Sequence, residues 1–315
     1  MKKSRSKIGI YTLLGACMLL LSCGQNGKTS TDESQIQPNL GYRTAKILEI
    51  DGLQFKDLNP NGQLDVYEDW RLTHKERSQD LVSKMSLEQK AGFMLISSTR
   101  LENDWSFQRG KNTGDISSGF NEEDLVSSVN VFTRKPLSFP MMSSAGTTKA
   151  VTQFYDRHFI IRANPPVKIL AEWANNLQAL CESDGFGIPA IVTSNPRNHI
   201  TSNAALGLSI GQTAFSTWPG ELGLAAMRDL QLTRAFADIA RQEWKATGIR
   251  KGYMYMADLA TEPRWQRTDG TFGEDANLAA DMIREIVLGF QGEQLDSTSV
   301  ALTTKHFPGG GATEG

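Results

Sequence analysis

From Val167 to Lys305 the chain switches repeatedly between two hydrophobic periods, and that alternation leaves few folds open to it. Val167–Glu182 carries apolar residues at helical spacing, with Ile169, Leu170, Trp173, Leu177 and Leu180 on one face. A short β-branched run, Ile188–Thr193, reads as a strand. Gly220–Thr247 carries one or two helices through Leu222, Leu230, Phe236, Ile239 and Trp244. Then come a strand over Tyr253–Asp258, a helix over Asp275–Gly289 and a strand over Ser299–Lys305. Strands alternating with helices of this length imply parallel βαβ units. A chain of 315 residues is long enough for one barrel-sized α/β domain.

In such barrels ligands are held at the C-terminal ends of the strands. The last strand runs directly into Lys305-His306-Phe307-Pro308-Gly309-Gly310-Gly311, where Pro and three Gly stop the regular pleat. The preceding strand delivers Glu262-Pro263-Arg264-Trp265-Gln266-Arg267 to the same rim, and Ile188–Thr193 delivers Asn195, Arg197 and His199. Guanidinium donors beside an aromatic face suit a sugar, whose hydroxyls need donors and whose C–H surface stacks on a ring. Lys305 beside His306 adds two more hydrogen-bonding groups. The carboxylates of Glu274 and Asp275 stand where they cap the next helix. No metal-ligand spacing of His and carboxylates, no phosphate-cradling Gly loop and no nucleophile-elbow serine is found.

The N-terminus reads as a targeting segment. Lys2, Lys3, Arg5 and Lys7 precede an apolar stretch from Ile8 to Leu21, too short to span a bilayer and followed at once by polar chain. Leu20-Leu21-Ser22-Cys23-Gly24 looks like a bacterial lipobox, so residues 1–22 are expected to be a lipoprotein signal peptide with lipid on Cys23. Their removal takes the formal charge from −2 to −6. Residues 23–40, polar and aperiodic, read as a flexible tether. Cys17 leaves with the signal, and Cys181 lies on an apolar helical pattern as a core residue, so no disulfide is expected. The near-neutral balance carries no basic footprint for nucleic acid.

Residues 41–70 read as an N-terminal arm around Asp57-Leu58-Asn59-Pro60-Asn61-Gly62-Gln63-Leu64-Asp65-Val66-Tyr67-Glu68, which fits the calcium-loop pattern at every constrained position. Asp57, Asn59, Asn61 and Asp65 offer side-chain oxygens, Gln63 a backbone carbonyl and Glu68 a carboxylate, while Gly62 permits the sharp turn. A structural calcium ion is the expected occupant, with no cofactor for catalysis. Trp70–Lys84 reads as a helix. Ser86-Leu87-Glu88-Gln89 is a capping box opening another, with Leu87, Ala91, Met94 and Leu95 as its apolar face. Residues 100–140 read as a loop elaboration with a short helix near Glu122–Val131, and 147–162 as ending in a strand.

Together, Met85-Ser86-Leu87-Glu88-Gln89-Lys90, Gly187-Ile188-Pro189, Pro263-Arg264-Trp265, Phe272-Gly273-Glu274-Asp275 and Lys305-His306-Phe307-Pro308-Gly309 resemble, in order, the N-terminal barrel of the family 3 glycoside hydrolases. The resemblance covers about residues 70–315 and implies a (β/α)8 TIM-like barrel, incomplete in this chain (residues 71–315), behind the calcium-loop arm. It implies retaining, exo-acting hydrolysis of terminal β-linked sugars, glucosidase- or xylosidase-like, since the family's N-acetylhexosaminidases usually show His where this chain has Gly310. Arg264, Lys305 and His306 are implied as substrate-binding residues, and Asn195 falls on the family's sugar-binding Asp. Trp265-Gln266-Arg267 replaces the usual Trp-Gly-Arg, and Gly270 stands where Glu is common. The nucleophile and acid/base carboxylates are expected beyond Gly315. The implied setting is an outer-membrane lipoprotein facing the periplasm or cell exterior and acting on oligosaccharides or β-glycosides. The alternative is an inactive, glycan-binding lipoprotein.

Overall fold

The computed structural model describes residues 36–104, 114–130, 133–200 and 213–306. The chain divides after Ile36 into two units, and its described strands and helices all belong to the second. The expected signal peptide, Cys23 and most of the tether lie outside the described residues, as do Phe307 and the Gly run after it.

The arm opens with a hairpin, β1 (Lys46–Ile50) against β2 (Leu53–Asp57). Its two-residue turn, Asp51-Gly52, takes positive φ at both positions, the geometry that matches strand twist and that Asp-Gly supports. Phe55 at its centre is fully buried, stacked on Trp70 at 5.3 Å with the Arg71 guanidinium above. The loop from Asp57 leads not into a helix at Glu68 or Trp70 but into turns. Helix α1 (His74–Lys84) starts only where Thr73 and Glu76 close a capping box. The expected capping box is present, Ser86 with Gln89, and opens α2 (Leu87–Gly92). That helix ends after six residues, and its supposed apolar face is not a core face: Leu87 is 77 % and Met94 83 % exposed. Helical periodicity over so short a run says little about burial.

Five parallel strands form the main sheet: β3 (Ser97–Thr99), β6 (His158–Ile161), β7 (Ile191–Ser194), β8 (Lys251–Gly252) and β9 (Ala301–Leu302). Their order in space repeats their order in the chain, without the reversal that marks a doubly wound sheet. Between β3 and β6 stand an antiparallel pair, β4 (Leu125–Val129) with β5 (Pro136–Ser144), and the short α3 (Thr147–Thr152). The helix expected near Glu122–Val131 is therefore a strand; its β-branched Val126 and Val129 fit a pleated surface better than a helix.

Three helices cover one face of the sheet: α4 (Val167–Glu182), α6 (Leu230–Ala246) and α7 (Ala276–Gln291), with α5 (Glu221–Met227) just before α6. Asp229 and Asp275 cap α6 and α7 through their side chains. Helices α6 and α7 approach closely because Gly289 has no side chain; a Cβ there would lie 2.4 Å from the Ala237 Cβ. Phe159, Ile161 and Val192 from the strands meet Leu170, Trp173, Leu177, Cys181, Phe236, Trp244, Met282, Ile286 and Phe290 from the helices in one core. Truncating a fully buried aromatic such as Trp173 would cost about 3–5 kcal/mol. Tyr253–Asp258 and most of Ser299–Lys305 do not pair as full strands. The strand lies just before the first stretch, at Lys251–Gly252, and covers only Ala301–Leu302 of the second; otherwise Met256 bridges to Lys305. Among the described residues no helix is long and apolar enough to cross a membrane.

Candidate functional site

Parallel pairing sets which side chains share the rim. Ile160 pairs with Thr193 and Ser194 with Gly252, so Arg162, Asn195 and Tyr253 follow at matching positions past the ends of three adjacent strands. They point opposite to Ile161 and Ser194, because side chains alternate along a strand. The segment after β9 is stitched to the one after β8: the Lys305 N–H donates to the Tyr255 carbonyl at 3.1 Å, and Ala257 N–H to the Lys305 carbonyl at 2.7 Å.

This stitching brings Lys305, His306 and Asp258 together. Lys305 is 8 % exposed, and its ammonium lies 4.3 Å from the Tyr253 ring centroid. Among the described residues its Nζ has no hydrogen-bond acceptor, so its donors are available to a ligand. Burial, then the nearby Arg267 charge, pushes its pKa down to about 8, against the opposing pull of Glu221. His306 donates its backbone N–H and Nδ1–H to Asp258 Oδ2, at 3.2 and 2.8 Å. Because Nδ1 faces a carboxylate, Nε2 is left as the acceptor, and it faces Arg267 Nη1 at 3.4 Å. Among the described residues the buried Nε of Arg267 has no acceptor.

The guanidinium at this cluster is thus Arg267, not Arg264. Arg264 pairs through Nε and Nη2 with Glu262 at 2.7 and 2.8 Å, and its side chain is 76 % exposed. The turn running into the 3-10 segment Thr268–Gly270 carries Arg267 inward and leaves Arg264 outside. Asn195 is buried at the end of β7 on the expected rim. Arg197 is not a rim residue. Its guanidinium donates to the carbonyls of Ile161 and Ala163, to Asn164 Oδ1 and to Ser194 Oγ, clasping the ends of β6 and β7. Burial pulls its pKa down.

Sequence reasoning passed over Asp258, Tyr253 and Glu221. Asp258 had a usable signal, a carboxylate closing an apolar run at a strand's end. Glu221 had none, since an acid in a helix's first turn reads as a dipole complement.

In the arm, the loop folds back on itself through its own side chains. Asp57 Oδ1 and Oδ2 accept from the N–H groups of Asn61 and Gly62 at 3.1 and 3.0 Å, and Gly62 has φ +76°. Glu68 accepts from Leu58 N–H at 2.6 Å and Asp65 N–H at 3.0 Å. Asn59 and Asn61 both donate to Asp65 Oδ2, at 2.7 and 2.8 Å, and Lys84 Nζ reaches Asp65 Oδ1 at 3.1 Å. No group of three His, Cys, Asp or Glu among the described residues forms a ready-made metal cage. The donor set is instead carboxylates mixed with Asn and carbonyl oxygens, the hard-oxygen chemistry that calcium takes. Burial pushes Glu68 upward in pKa despite its backbone donors, so a cation there would relieve a desolvated charge.

Residues 171–315 match the glycosyl hydrolase family 3 N terminal domain. The chain is 39 % identical over 285 residues to the periplasmic beta-glucosidase/beta-xylosidase of Dickeya chrysanthemi, covering 88 % of this chain and 38 % of that protein. It is 36 % identical over 271 residues to beta-glucosidase C of Emericella nidulans, covering 84 % of this chain and 38 % of that protein. It thus spans well under half the length of these relatives. The solved β-glucosidase EmGH1 of Erythrobacter marinus superposes with a TM-score of 0.52 at 18 % identity, over 76 % of this chain and 26 % of that one. That likeness concerns the fold alone.

Proposed function

We propose that the chain belongs to glycosyl hydrolase family 3, whose N terminal domain residues 171–315 match, and that the full-length protein hydrolyses terminal β-linked sugars, glucosidase- or xylosidase-like. The observation that carries this reading is the Lys305 ammonium, more than nine-tenths buried and without an acceptor among the described residues, beside His306 and Arg267. Such a set has donors to spare for the hydroxyls of one pyranose ring. The in-order parallel sheet is read as five strands of a (β/α)8 barrel.

In this mechanism the described residues bind and orient. Lys305 and Arg267 donate to sugar hydroxyls, and Asp258 fixes the His306 ring so that its Nε2 meets and orients the Arg267 guanidinium. The sugar's apolar face is offered the Tyr253 ring, which is 38 % exposed. Bond cleavage with retention requires two carboxylates about 5 Å apart, one attacking the anomeric carbon and the other protonating the leaving oxygen. Neither role is assigned to Asp258, which His306 engages, nor to Glu221, which lies behind His199.

Names among the relatives support a periplasmic setting, and the lipobox at Cys23 supports an outer-membrane lipoprotein. The arm's loop is proposed to hold a structural calcium ion through Asp57, Asn59, Asn61, the Gln63 carbonyl, Asp65 and Glu68, which would pin the arm and supply no chemistry to the reaction.

Full-length protein incubated with p-nitrophenyl β-glucoside and β-xyloside, with the first-formed anomer followed by proton NMR, tests the reading. Release of the β-anomer is expected. The uncharged amide of Asn195 favours one alternative, a glycan-binding protein without turnover. Tight binding of the sugar with no release would establish it.

A further inference from the structure

Glu243 stands in the last turn of α6, where the helix dipole disfavours an acid, so its partners are to be sought off the helix. Its Oε2 accepts from the Asn198 amide at 2.6 Å and from the Ser216 hydroxyl at 2.9 Å, and its Oε1 accepts from the Ser216 N–H at 3.0 Å. The Asn198 amide is held in one orientation, because its Oδ1 takes the Trp244 indole N–H at 2.9 Å and an indole can only donate. Asn198 and Ser216 lie on two stretches that run side by side past the end of β7. Trp218 N–H donates to the Asn198 carbonyl at 2.7 Å, Ile200 N–H to the Trp218 carbonyl at 2.9 Å, and the Thr213 hydroxyl to the Arg197 carbonyl at 2.7 Å. Hydrogen bonds lead from this clamp to the sugar site by two routes. On one, Arg197 Nε donates to Ser194 Oγ at 2.8 Å, and that hydroxyl donates to the Asn195 carbonyl at 2.8 Å. On the other, His199 donates Nδ1–H to the Pro219 carbonyl at 2.8 Å, so its Nε2 accepts from the Tyr255 hydroxyl at 3.0 Å. The Tyr255 carbonyl in turn receives the Lys305 N–H at 3.1 Å.

We infer that Glu243 is a positioning residue for the sugar site: through Asn198 and Ser216 it fixes the stretch that carries Asn195 and His199, and through His199 and Tyr255 the backbone of Lys305. This deepens the function proposed above and rests on it for what Asn195 and Lys305 hold. The two stretches meet in an isolated bridge, His199 with Trp218, so backbone pairing alone joins them loosely. A carboxylate suits the task because it accepts three hydrogen bonds at once, and charge-assisted bonds are roughly twice as strong as neutral ones. Glutamine of the same shape would turn its N–H2 group toward the Asn198 amide or the Ser216 N–H, donor against donor. The second hydrogen of the Asn198 amide is already taken by the Ser216 carbonyl at 3.0 Å. Whichever donor then loses its acceptor, the stretch can restore the bond only by shifting. Asn198 is 2 % and His199 3 % exposed, and the His199 ring packs against Phe236 and Tyr255. In such close-packed surroundings a shift at Asn198 passes to its neighbours.

The test is Glu243→Gln in the full-length protein, assayed well below its melting range. Two quantities are read: KM and kcat on p-nitrophenyl β-glucoside, and hydrogen exchange of the peptide holding residues 195–200. KM is expected to rise about tenfold with kcat within about threefold, because a grip common to substrate and transition state is loosened. Exchange should quicken by about tenfold as the stretch opens more readily. Asn198→Ala should raise KM likewise, and adding Glu243→Gln to it should raise KM by less than about twofold more, since the two residues act as one contact. A folded Glu243→Gln protein whose KM or exchange stays in place would make Glu243 merely structural and overturn the inference, as would additive rises in the double variant. If Glu243→Gln does not fold, unmoved values in Ser216→Ala, which removes one of the three donors, have the same force. Failure of the wild type to cleave any β-glycoside would fall on the proposed function, and the exchange at residues 195–200 would still decide the role of Glu243.

Discussion

Asp258 Oδ2 takes two hydrogen bonds from one residue, the backbone N–H and the Nδ1–H of His306. With the Asp258 side chain fully buried, this pairing fixes both the ring's orientation and its tautomer. Asp258→Asn keeps an acceptor but loses the charge, and Asp258→Ala loses both. We expect kcat/KM on a β-glucoside to fall by about 10-fold in the first and 100-fold or more in the second, as for other orienting partners of a working histidine. Matched thermal melts would separate this from unfolding. Equal losses in the two variants would show that the charge, rather than the orientation, is what His306 needs.

Arg264 and Arg267 are three residues apart and have opposite fates. Removing the guanidinium of Arg267 should cost binding about 1.5–3 kcal/mol, the range for hydrogen bonds to a charged group, read as a rise in KM with a fall in kcat/KM. Arg264→Ala should leave both within about threefold, since exposed ion pairs contribute little. Kinetics on the two single variants settle which arginine grips the sugar. The reverse pattern would place the site nearer the surface than the geometry indicates.

Lys305 should set an alkaline limit on activity. Its folded pKa lies below the ordinary lysine value of 10.5, at about 8. The ammonium is therefore present below pH 8 and lost as pH rises through that point, taking its donors' charge with it. A kcat/KM profile falling above about pH 8, and a limb displaced upward in Lys305→Arg because a guanidinium stays charged, are the expected results. A profile flat to pH 10 would mean that Lys305 is not a ligand for substrate.

Glu182 ties the arm to the end of α4. Its Oε2 accepts from the N–H groups of Arg43, Thr44 and Ala45 at 2.6, 2.7 and 3.3 Å, and its Oε1 meets Lys56 at 3.4 Å. Burial pushes its pKa up, but the backbone donors and Lys56 outweigh this and leave it lowered. A carboxylate depressed in the folded state contributes stability that is present above its unfolded pKa and lost as pH falls through the folded one. Glu182→Gln should therefore lower stability by about 1–3 kcal/mol at neutral pH, with a difference from wild type that shrinks on acidification. Urea melts at pH 7 and pH 3.5 measure it.

Where burial is one-sided and long, the sequence was readable. Helix α4 runs over the expected residues because sixteen positions of one period leave little choice, and Cys181 is buried as its place in that pattern implies. The Ser86–Gln89 capping box was legible for a related reason, being local chemistry confined to four residues, whereas the Thr73–Glu76 box went unread inside a helix expected from Trp70. The rim was half legible. Lys305, His306 and Asn195 follow from strand ends, but which of two arginines turns inward depends on a 3-10 turn whose sequence, Arg267-Thr268-Asp269-Gly270, carries no hydrophobic signal. Gly187 is a further case. It takes φ +61°, and a Cβ there would lie 2.8 Å from the Leu58 Cβ, so its reason for being glycine sits in the distant arm.

That contact links the arm's loop to the main sheet and gives the last prediction its readout. Leu58 stands inside the loop, directly after Asp57, so a cation ordering the loop also braces Gly187 and the strand that ends in Asn195. Calcium should raise the melting temperature in a concentration-dependent way, worth about 2.7 kcal/mol at a hundred times its Kd, and Asp57→Ala should abolish the rise. Lys84 reaches Asp65 Oδ1 at 3.1 Å and would compete with a calcium ion placed there. Lys84→Met removes that competing charge and should tighten calcium binding by roughly tenfold at low ionic strength. Calorimetric titration of calcium into the two variants decides the matter. A Lys84→Met protein that binds calcium no better than wild type would mean that the cation sits away from Asp65, and one that melts identically with calcium or chelator would mean that the loop is held by its own hydrogen bonds alone.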